Sequence, residues 1–249
     1  HEVAHQWWGI GVDFATYRDQ WLSEGFSTFA ALWYLQTVRG DVKQYFEILD
    51  EYKADLLVRG EDAAPIGLGY RTADADNPGD YNLIVYEKGA WVLHMLRAMM
   101  IDLKSMQEDR FTGLMKDFYQ DYRGKRASTA DFQRAVEQHT GQEMGWFFSQ
   151  WVYQSAIPTY RVAYQVVGAP DGQYLVRFRV RQQDVPAEFQ AYVPIGLEMG
   201  KDQWVRVRKK VTGPLTEFEL GPLPSKPKSV KFNDLDGVLA DVKAEGWGG

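Results

Sequence analysis

The hydrophobic period of the chain changes near Pro158, and this change limits the folds that the chain can adopt. Before it, apolar residues recur every three or four positions, as from Gln20 to Arg39, which predicts amphipathic helices. After it, apolar and polar residues alternate, as from Tyr174 to Gln182, which predicts strands. Helices followed by strands, without alternation, favour an α+β chain of two domains. We therefore expect a helical region over residues 1–157 and a β-sandwich over residues 158–249.

Local signals divide the two regions into elements. The helices are predicted at Gln20 to Arg39, Asp41 to Val58, Tyr81 to Leu103, Asp109 to Tyr122, Phe132 to His139 and Glu143 to Tyr153. A loop rich in Gly and Pro is predicted from Gly60 to Asp80, and Ser128 with Asp131 resembles a helix cap. The strands are predicted at Arg161 to Val167, Tyr174 to Gln182, Phe189 to Met199, Gln203 to Val211, Thr216 to Leu220, Ser229 to Phe232 and Leu239 to Val242.

The composition limits the chemistry and the partners. None of the 249 residues is Cys, so any metal must be held by His, Asp or Glu. The net charge is −6, and the excess of acidic residues lies before Pro158, which argues against nucleic-acid binding. No apolar run approaches the roughly 20 residues that cross a bilayer, so we expect no transmembrane segment.

The first five residues form the pattern H-E-x-x-H. Residues i and i+4 share one face of a helix, so His1 and His5 can reach one cation, with Glu2 between them. A catalytic zinc usually takes three protein ligands and a water. Glu24, which is flanked by apolar residues, is a candidate for the third ligand because a buried carboxylate needs a partner. A chance match to a five-residue pattern is the alternative at this point.

The sequence around these residues resembles a known family. The segments that carry the resemblance are His1-Glu2-Val3-Ala4-His5-Gln6-Trp7-Trp8-Gly9, Trp21-Leu22-Ser23-Glu24-Gly25-Phe26 and Tyr86-Glu87-Lys88-Gly89-Ala90. They are similar to the aminopeptidase N-like zinc metallopeptidases, a branch of the gluzincins. Two departures from the family pattern, Arg18 in place of an aromatic residue and Ser23 in place of Asn, do not affect the ligands.

The resemblance implies both a fold and a mechanism. It implies the helical part of a thermolysin-like catalytic domain followed by a β-sandwich, with Zn²⁺ held by His1, His5 and Glu24. Glu2 is then the general base and Tyr86 the residue that stabilises the oxyanion. The implied activity is that of a zinc-dependent aminopeptidase, with peptides as substrates.

The family's G-A-M-E-N segment, which binds the substrate's amino group, is not found in these residues, nor is the β-domain that precedes it. We therefore expect a C-terminal fragment of a longer chain, whose missing N-terminal portion completes the site. In isolation this fragment is expected to bind zinc weakly and to have little peptidase activity. Two alternatives are an endopeptidase of the wider gluzincin group and a non-catalytic scaffold that retains the fold.

Overall fold

The computed structural model describes residues 1–59, 62, 64–73 and 79–248. The chain forms two compact units, His1–Ile101 with Gln107–Ala156 and Asp102–Met106 with Ile157–Gly249. The first unit is largely helical and the second is built from strands, which confirms the predicted α+β class. The division predicted between residues 157 and 158 falls beside the change of unit, and the independence of the two domains stays a prediction.

The helical unit is made of α-helices joined by shorter turns. The α-helices are α1 (Glu24–Thr37), α2 (Val42–Arg59), α3 (Gly89–Met100), α4 (Asp109–Tyr122), α5 (Thr129–Thr140) and α6 (Gly145–Trp151). Before and between them lie 3₁₀ helices at Ala4–Gln6, Tyr17–Leu22 and Ile66–Thr72, a π-helix at Asn82–Lys88, and the parallel strand pair β1 (Val12–Phe14) and β2 (Lys125–Ala127). Residues 60, 61, 63 and 74–78 of the predicted loop lie outside the described residues.

The predicted start of α5 is confirmed. The Ser128 side chain accepts a hydrogen bond from the Asp131 backbone, and the Asp131 carboxylate accepts one from the Ser128 backbone. This reciprocal arrangement satisfies two amide groups that the first helical turn leaves unpaired. The helix ends at Gly141, whose φ of 69° places it in the left-handed conformation that glycine adopts without strain.

Two predicted helices differ in the structure. The helix predicted from Gln20 begins only at Glu24, because residues Tyr17–Leu22 form a 3₁₀ helix with its own capping box of Thr16 and Asp19. The helix predicted from Tyr81 is divided into the π-helix Asn82–Lys88 and α3. Apolar spacing does not distinguish these helix types, because their residues per turn differ too little over so short a segment.

Aromatic side chains fill the centre of the helical unit. Trp21, Phe26, Phe118 and Phe132 are buried and lie in mutual ring contact, with Phe26 and Phe132 4.9 Å apart between ring centroids. Trp8 contacts Phe26 at 5.0 Å, so the first segment of the chain is anchored on this aromatic cluster. Burying these rings removes a large apolar area from water and stabilises the unit.

The second unit contains two sheets. Its strands are β3 (Thr159–Gly168), β4 (Tyr174–Gln183), β5 (Gln190–Gly200), β6 (Gln203–Thr212), β7 (Leu215–Leu223), β8 (Ser229–Phe232) and β9 (Asp241–Ala244). The strand orders are β7-β4-β3-β9 and β6-β5-β8, and every pairing is antiparallel except that of β3 with β9. The Tyr160 ring of β3 contacts Phe232 of β8 at 5.7 Å, which joins the two sheets. Across the described residues, no helix has the length and apolar character needed to span a membrane.

Candidate metal centre

The two histidines of the first segment meet at their Nε2 atoms. The sequence predicts an α-helix here, but the chain forms a tighter turn. Ala4 N donates a hydrogen bond to His1 O, and the 3₁₀ helix Ala4–Gln6 follows. The turn still brings the imidazoles together, with His1 Nε2 and His5 Nε2 3.0 Å apart and the rings edge to face. Glu2 lies between the two histidines on this turn, and its side chain is exposed.

Glu24, the first residue of α1, brings a carboxylate oxygen to the same point. Its Oε2 atom lies 3.4 Å from His1 Nε2 and 3.2 Å from His5 Nε2. Within the described residues, these three side chains form the one group of at least three His, Asp or Glu that can hold a metal ion. In a tetrahedral site with bonds of about 2.1 Å, neighbouring ligand atoms lie about 3.4 Å apart, so the observed separations fit such a metal.

The opposite edge of the His5 ring is held by a backbone carbonyl. His5 Nδ1 lies 2.9 Å from Trp8 O, and a carbonyl oxygen can only accept, so Nδ1 carries the proton. The Nε2 lone pair of His5 therefore faces His1 and Glu24. The hydroxyl groups of Ser27 and Ser23 lie 3.1 Å and 3.3 Å from the same Nδ1 atom and add support.

A glycine is required where the chain turns past His5. Gly9 has a φ of +112°, and a Cβ atom there would lie 2.5 Å from Ser23 Oγ and 3.3 Å from His5 Nδ1. A side chain at this position would therefore strain the backbone and displace the histidine from its partners. Trp8, the residue before Gly9, packs on the aromatic cluster and also holds the turn in place.

The contact between α1 and α3 sets the distance from Glu24 to Tyr86. Gly25 and Gly89 meet backbone to backbone, and a Cβ on Gly25 would lie 2.9 Å from Gly89 Cα. This contact places the π-helix Asn82–Lys88 beside the start of α1. Single turns of π-helix are frequent at functional sites.

Tyr86 of this π-helix faces the three candidate ligands. Its ring stacks on His1 with centroids 5.5 Å apart and planes inclined by 14°. Burial raises the pKa of the Tyr86 phenol, and the nearby charge of Glu24, to which it hydrogen-bonds, raises this pKa further. The hydroxyl therefore keeps its proton at neutral pH and is a hydrogen-bond donor.

Lys88 fixes the other end of the π-helix. Its side chain is buried, and its Nζ atom donates a hydrogen bond to Gln154 O at 3.0 Å. Burial lowers the pKa of Lys88 to about 8, since an apolar environment disfavours the charged form. The segment that carries Tyr86 is thereby tied to the residues that follow α6.

The sequence-based prediction named His1, His5, Glu24, Glu2 and Tyr86. The structure brings His1, His5, Glu24 and Tyr86 together and leaves the Glu2 side chain exposed. The prediction did not identify the groups that contact these side chains, which are Trp8 O, Ser27, Thr28 and Tyr81. The spacing of four residues from Glu24 to Thr28 places both on one helix face, but this spacing alone does not single out Thr28.

Comparison with known proteins identifies the family of this chain. The profile of the "Peptidase family M1 domain" matches residues 1–151. Among curated proteins, the chain is 28% identical over 204 residues to "Aminopeptidase M1" of Arabidopsis thaliana, covering 80% of this chain and 22% of that protein. It is 25% identical over 167 residues to rat (Rattus norvegicus) "Glutamyl aminopeptidase", covering 66% of this chain and 17% of that protein. The chain thus spans about a fifth of the length of these relatives.

A solved structure matches over almost the whole chain. Aminopeptidase A of Legionella pneumophila, crystallised in complex with aspartic acid, superposes with a TM-score of 0.63 over 98% of this chain and 26% of that one. The sequences are 19% identical, so this likeness shows the fold alone. Because the family profile matches well over half of the residues, the predicted resemblance is confirmed, and the chain belongs to peptidase family M1.

Proposed function

We propose that the protein is a zinc-dependent aminopeptidase, which releases N-terminal residues from peptides. The observation that carries the proposal is the convergence of His1 Nε2, His5 Nε2 and Glu24 Oε2, which lie 3.0 to 3.4 Å apart, with Tyr86 stacked against His1. Membership of peptidase family M1 and the aminopeptidase names of the matched relatives support the reaction class.

The donor set favours zinc. Two neutral imidazole nitrogens and one carboxylate oxygen are a known ligand set for catalytic zinc, which leaves a fourth position for water or substrate. A zinc ion held by His1, His5 and Glu24 would supply a water of lowered pKa and polarise the substrate carbonyl. The absence of Cys from the sequence excludes thiolate ligands.

Two further side chains have roles in the proposed reaction. The exposed carboxylate of Glu2 accepts the proton of the attacking water and passes it to the leaving amine. The Tyr86 hydroxyl, which keeps its proton because its pKa is raised, donates a hydrogen bond to the oxyanion that forms at the scissile carbonyl.

The test compares the natural protein at its full length with its Glu2→Gln variant on an alanyl arylamide. We expect a loss of kcat of roughly 10²- to 10⁴-fold in the variant, because general-base catalysis is removed. The zinc content per chain should be unchanged, since Glu2 is not one of the three ligands. Normal turnover by the variant would overturn the proposal, and cleavage of N-terminally blocked peptides would indicate an endopeptidase instead.

A further inference from the structure

The two candidate histidine ligands are supported unequally. His5 Nδ1 lies near one backbone carbonyl and two hydroxyl groups, those of Trp8, Ser27 and Ser23. In the part of the chain that the structure describes, His1 Nδ1 has one hydrogen-bond partner, the hydroxyl of Thr28 at 3.1 Å. The hydrogen bonding of His1 Nδ1 therefore depends on a single side chain, while Tyr86 and His5 contact the faces and edge of the ring.

The proton of that hydroxyl is already engaged. Thr28 Oγ1 donates to Glu24 O, one turn earlier in α1, at 2.8 Å. A hydroxyl has one proton, so towards His1 the Thr28 oxygen can only accept. His1 Nδ1 must then carry the ring proton, which leaves the Nε2 lone pair directed at His5 Nε2 and Glu24 Oε2. Thr28 is buried, so water is a poor substitute for this contact.

We propose that Thr28 is a positioning residue, which selects the Nδ1–H tautomer of His1 and links that ring to the backbone of Glu24. This inference rests on the proposed function, because the benefit of the tautomer is a free Nε2 lone pair for the metal. Outer-shell hydrogen bonds of this kind orient metal-binding histidines, and their loss typically weakens metal affinity by about 10- to 100-fold.

The matched variants are Thr28→Val, Thr28→Ser and Ser27→Ala. Thr28→Val removes the hydroxyl and keeps the shape, so we expect the zinc dissociation constant of the full chain to rise by about 10- to 100-fold. Thr28→Ser keeps the hydroxyl and should retain an affinity close to that of the wild type. Ser27→Ala also removes a hydroxyl 3.1 Å from a histidine, but Trp8 O still holds His5, so its effect should be much smaller.

Two measurements are made on each variant. The first is zinc affinity, determined by competition with a chromophoric chelator. The second is the ¹⁵N spectrum of the histidine side chains in the metal-free chain, which reports the tautomer directly. We expect the His1 signals to indicate Nδ1–H in the wild type and Thr28→Ser, and a mixture of tautomers in Thr28→Val. Circular dichroism establishes that each variant is folded.

An unchanged His1 tautomer in Thr28→Val would overturn the proposal, and so would a loss of affinity in Thr28→Ser equal to that in Thr28→Val. A wild-type chain that binds no zinc would contradict the proposed function instead. In that case the metal-free spectra still decide whether Thr28 sets the tautomer, so the two failures are distinguishable.

Discussion

Tyr86 is held by two neighbours that belong to the candidate metal centre. Its ring stacks on His1, and its hydroxyl hydrogen-bonds to Glu24. In Tyr86→Phe the stacking remains and the donor is lost, so we expect kcat to fall by about 10²- to 10³-fold with little change in KM. Zinc content per chain should be unchanged, and both quantities can be measured on the natural full-length enzyme.

Tyr81 offers the matched control for this variant. Its ring contacts Tyr86 edge to face, and its pKa is raised mainly by burial. Tyr81→Phe removes the hydroxyl that hydrogen-bonds to Tyr86 and leaves the Tyr86 hydroxyl in place, so we expect a smaller fall in kcat than in Tyr86→Phe. Equal losses in the two variants would show that Tyr86 does not act as the donor to the oxyanion.

A second residue-scale prediction concerns Glu87, the neighbour of Tyr86. Burial, together with the nearby charge of Asp55, raises the pKa of the Glu87 carboxyl to about 7. Among the described residues, the buried Oε2 atom of Glu87 has no hydrogen-bond partner. The folded-state pKa lies above the ordinary value of 4.5, so the stability contributed by the protonated form is present below that value. This stability is lost as the pH rises from 4.5 through about 7.

Glu87→Gln removes this dependence. We expect the variant to be more stable than the wild type by about 1 kcal/mol near pH 8, a figure reduced from the full pKa shift because the carboxylate is partly exposed. Near pH 4 the two proteins should be equally stable, because Glu87 is then protonated in both states. Chemical unfolding at the two pH values measures this difference. A gain of the same size at both would show that ionisation of Glu87 is not its cause.

At the scale of elements, the contact between α1 and α3 depends on the absence of two side chains. A Cβ on Gly25 would lie 2.9 Å from Gly89 Cα, which is backbone and cannot swing aside. We expect Gly25→Ala to destabilise the protein by roughly 1–3 kcal/mol, as other overpacked contacts do. It should also separate Glu24 from Tyr86 and lower zinc affinity, which thermal unfolding and chelator competition can measure.

Gly113 in α4 is the matched control for this helix contact. A Cβ there would make only ordinary contacts, the nearest 3.5 Å from His139. Alanine favours the helix over glycine by about 1 kcal/mol, so Gly113→Ala should stabilise the protein slightly. If both variants were stabilised, the close approach of Gly25 and Gly89 would not be what holds α1 against α3.

The elements that the sequence predicts best are those whose signals are local. The cap at Ser128 and Asp131 and the alternation in β4 need only neighbouring residues, and both are found as predicted. The π-helix Asn82–Lys88 depends instead on contacts with Gly25 and Gln154, which lie far away in sequence. Apolar spacing does not depend on such contacts, so it predicts one continuous helix there.

The same distinction holds for the site. His1 and His5 could be picked out because H-E-x-x-H has a diagnostic spacing, and Glu24 because it has apolar neighbours and lies in a segment that resembles the family. Thr28 could not, because a Thr inside a helix commonly bonds the carbonyl four residues earlier without any further role. Only the structure places the His1 ring next to that hydroxyl.

At the scale of the whole molecule, the two compact units are expected to unfold separately. Leu56 in α2 and Leu197 in β5 are both fully buried, one in each unit. Substitution of either by Ala should cost about 2–5 kcal/mol, depending on how far the cavity collapses. Calorimetry should then show two transitions, with Leu56→Ala lowering one and Leu197→Ala the other. A single transition lowered by both variants would mean that the units unfold together.

The long-range bonds of Asp19 have a consequence for the order in which the protein matures. Its carboxylate binds the backbone and hydroxyl of Thr129, which lies 110 positions later in the chain. On the ribosome, His1, His5, Asp19 and Glu24 emerge well before Thr129 has been translated. Because these bonds hold the 3₁₀ helix Tyr17–Leu22 that leads into α1, we expect metal to be acquired only after α5 has left the exit tunnel.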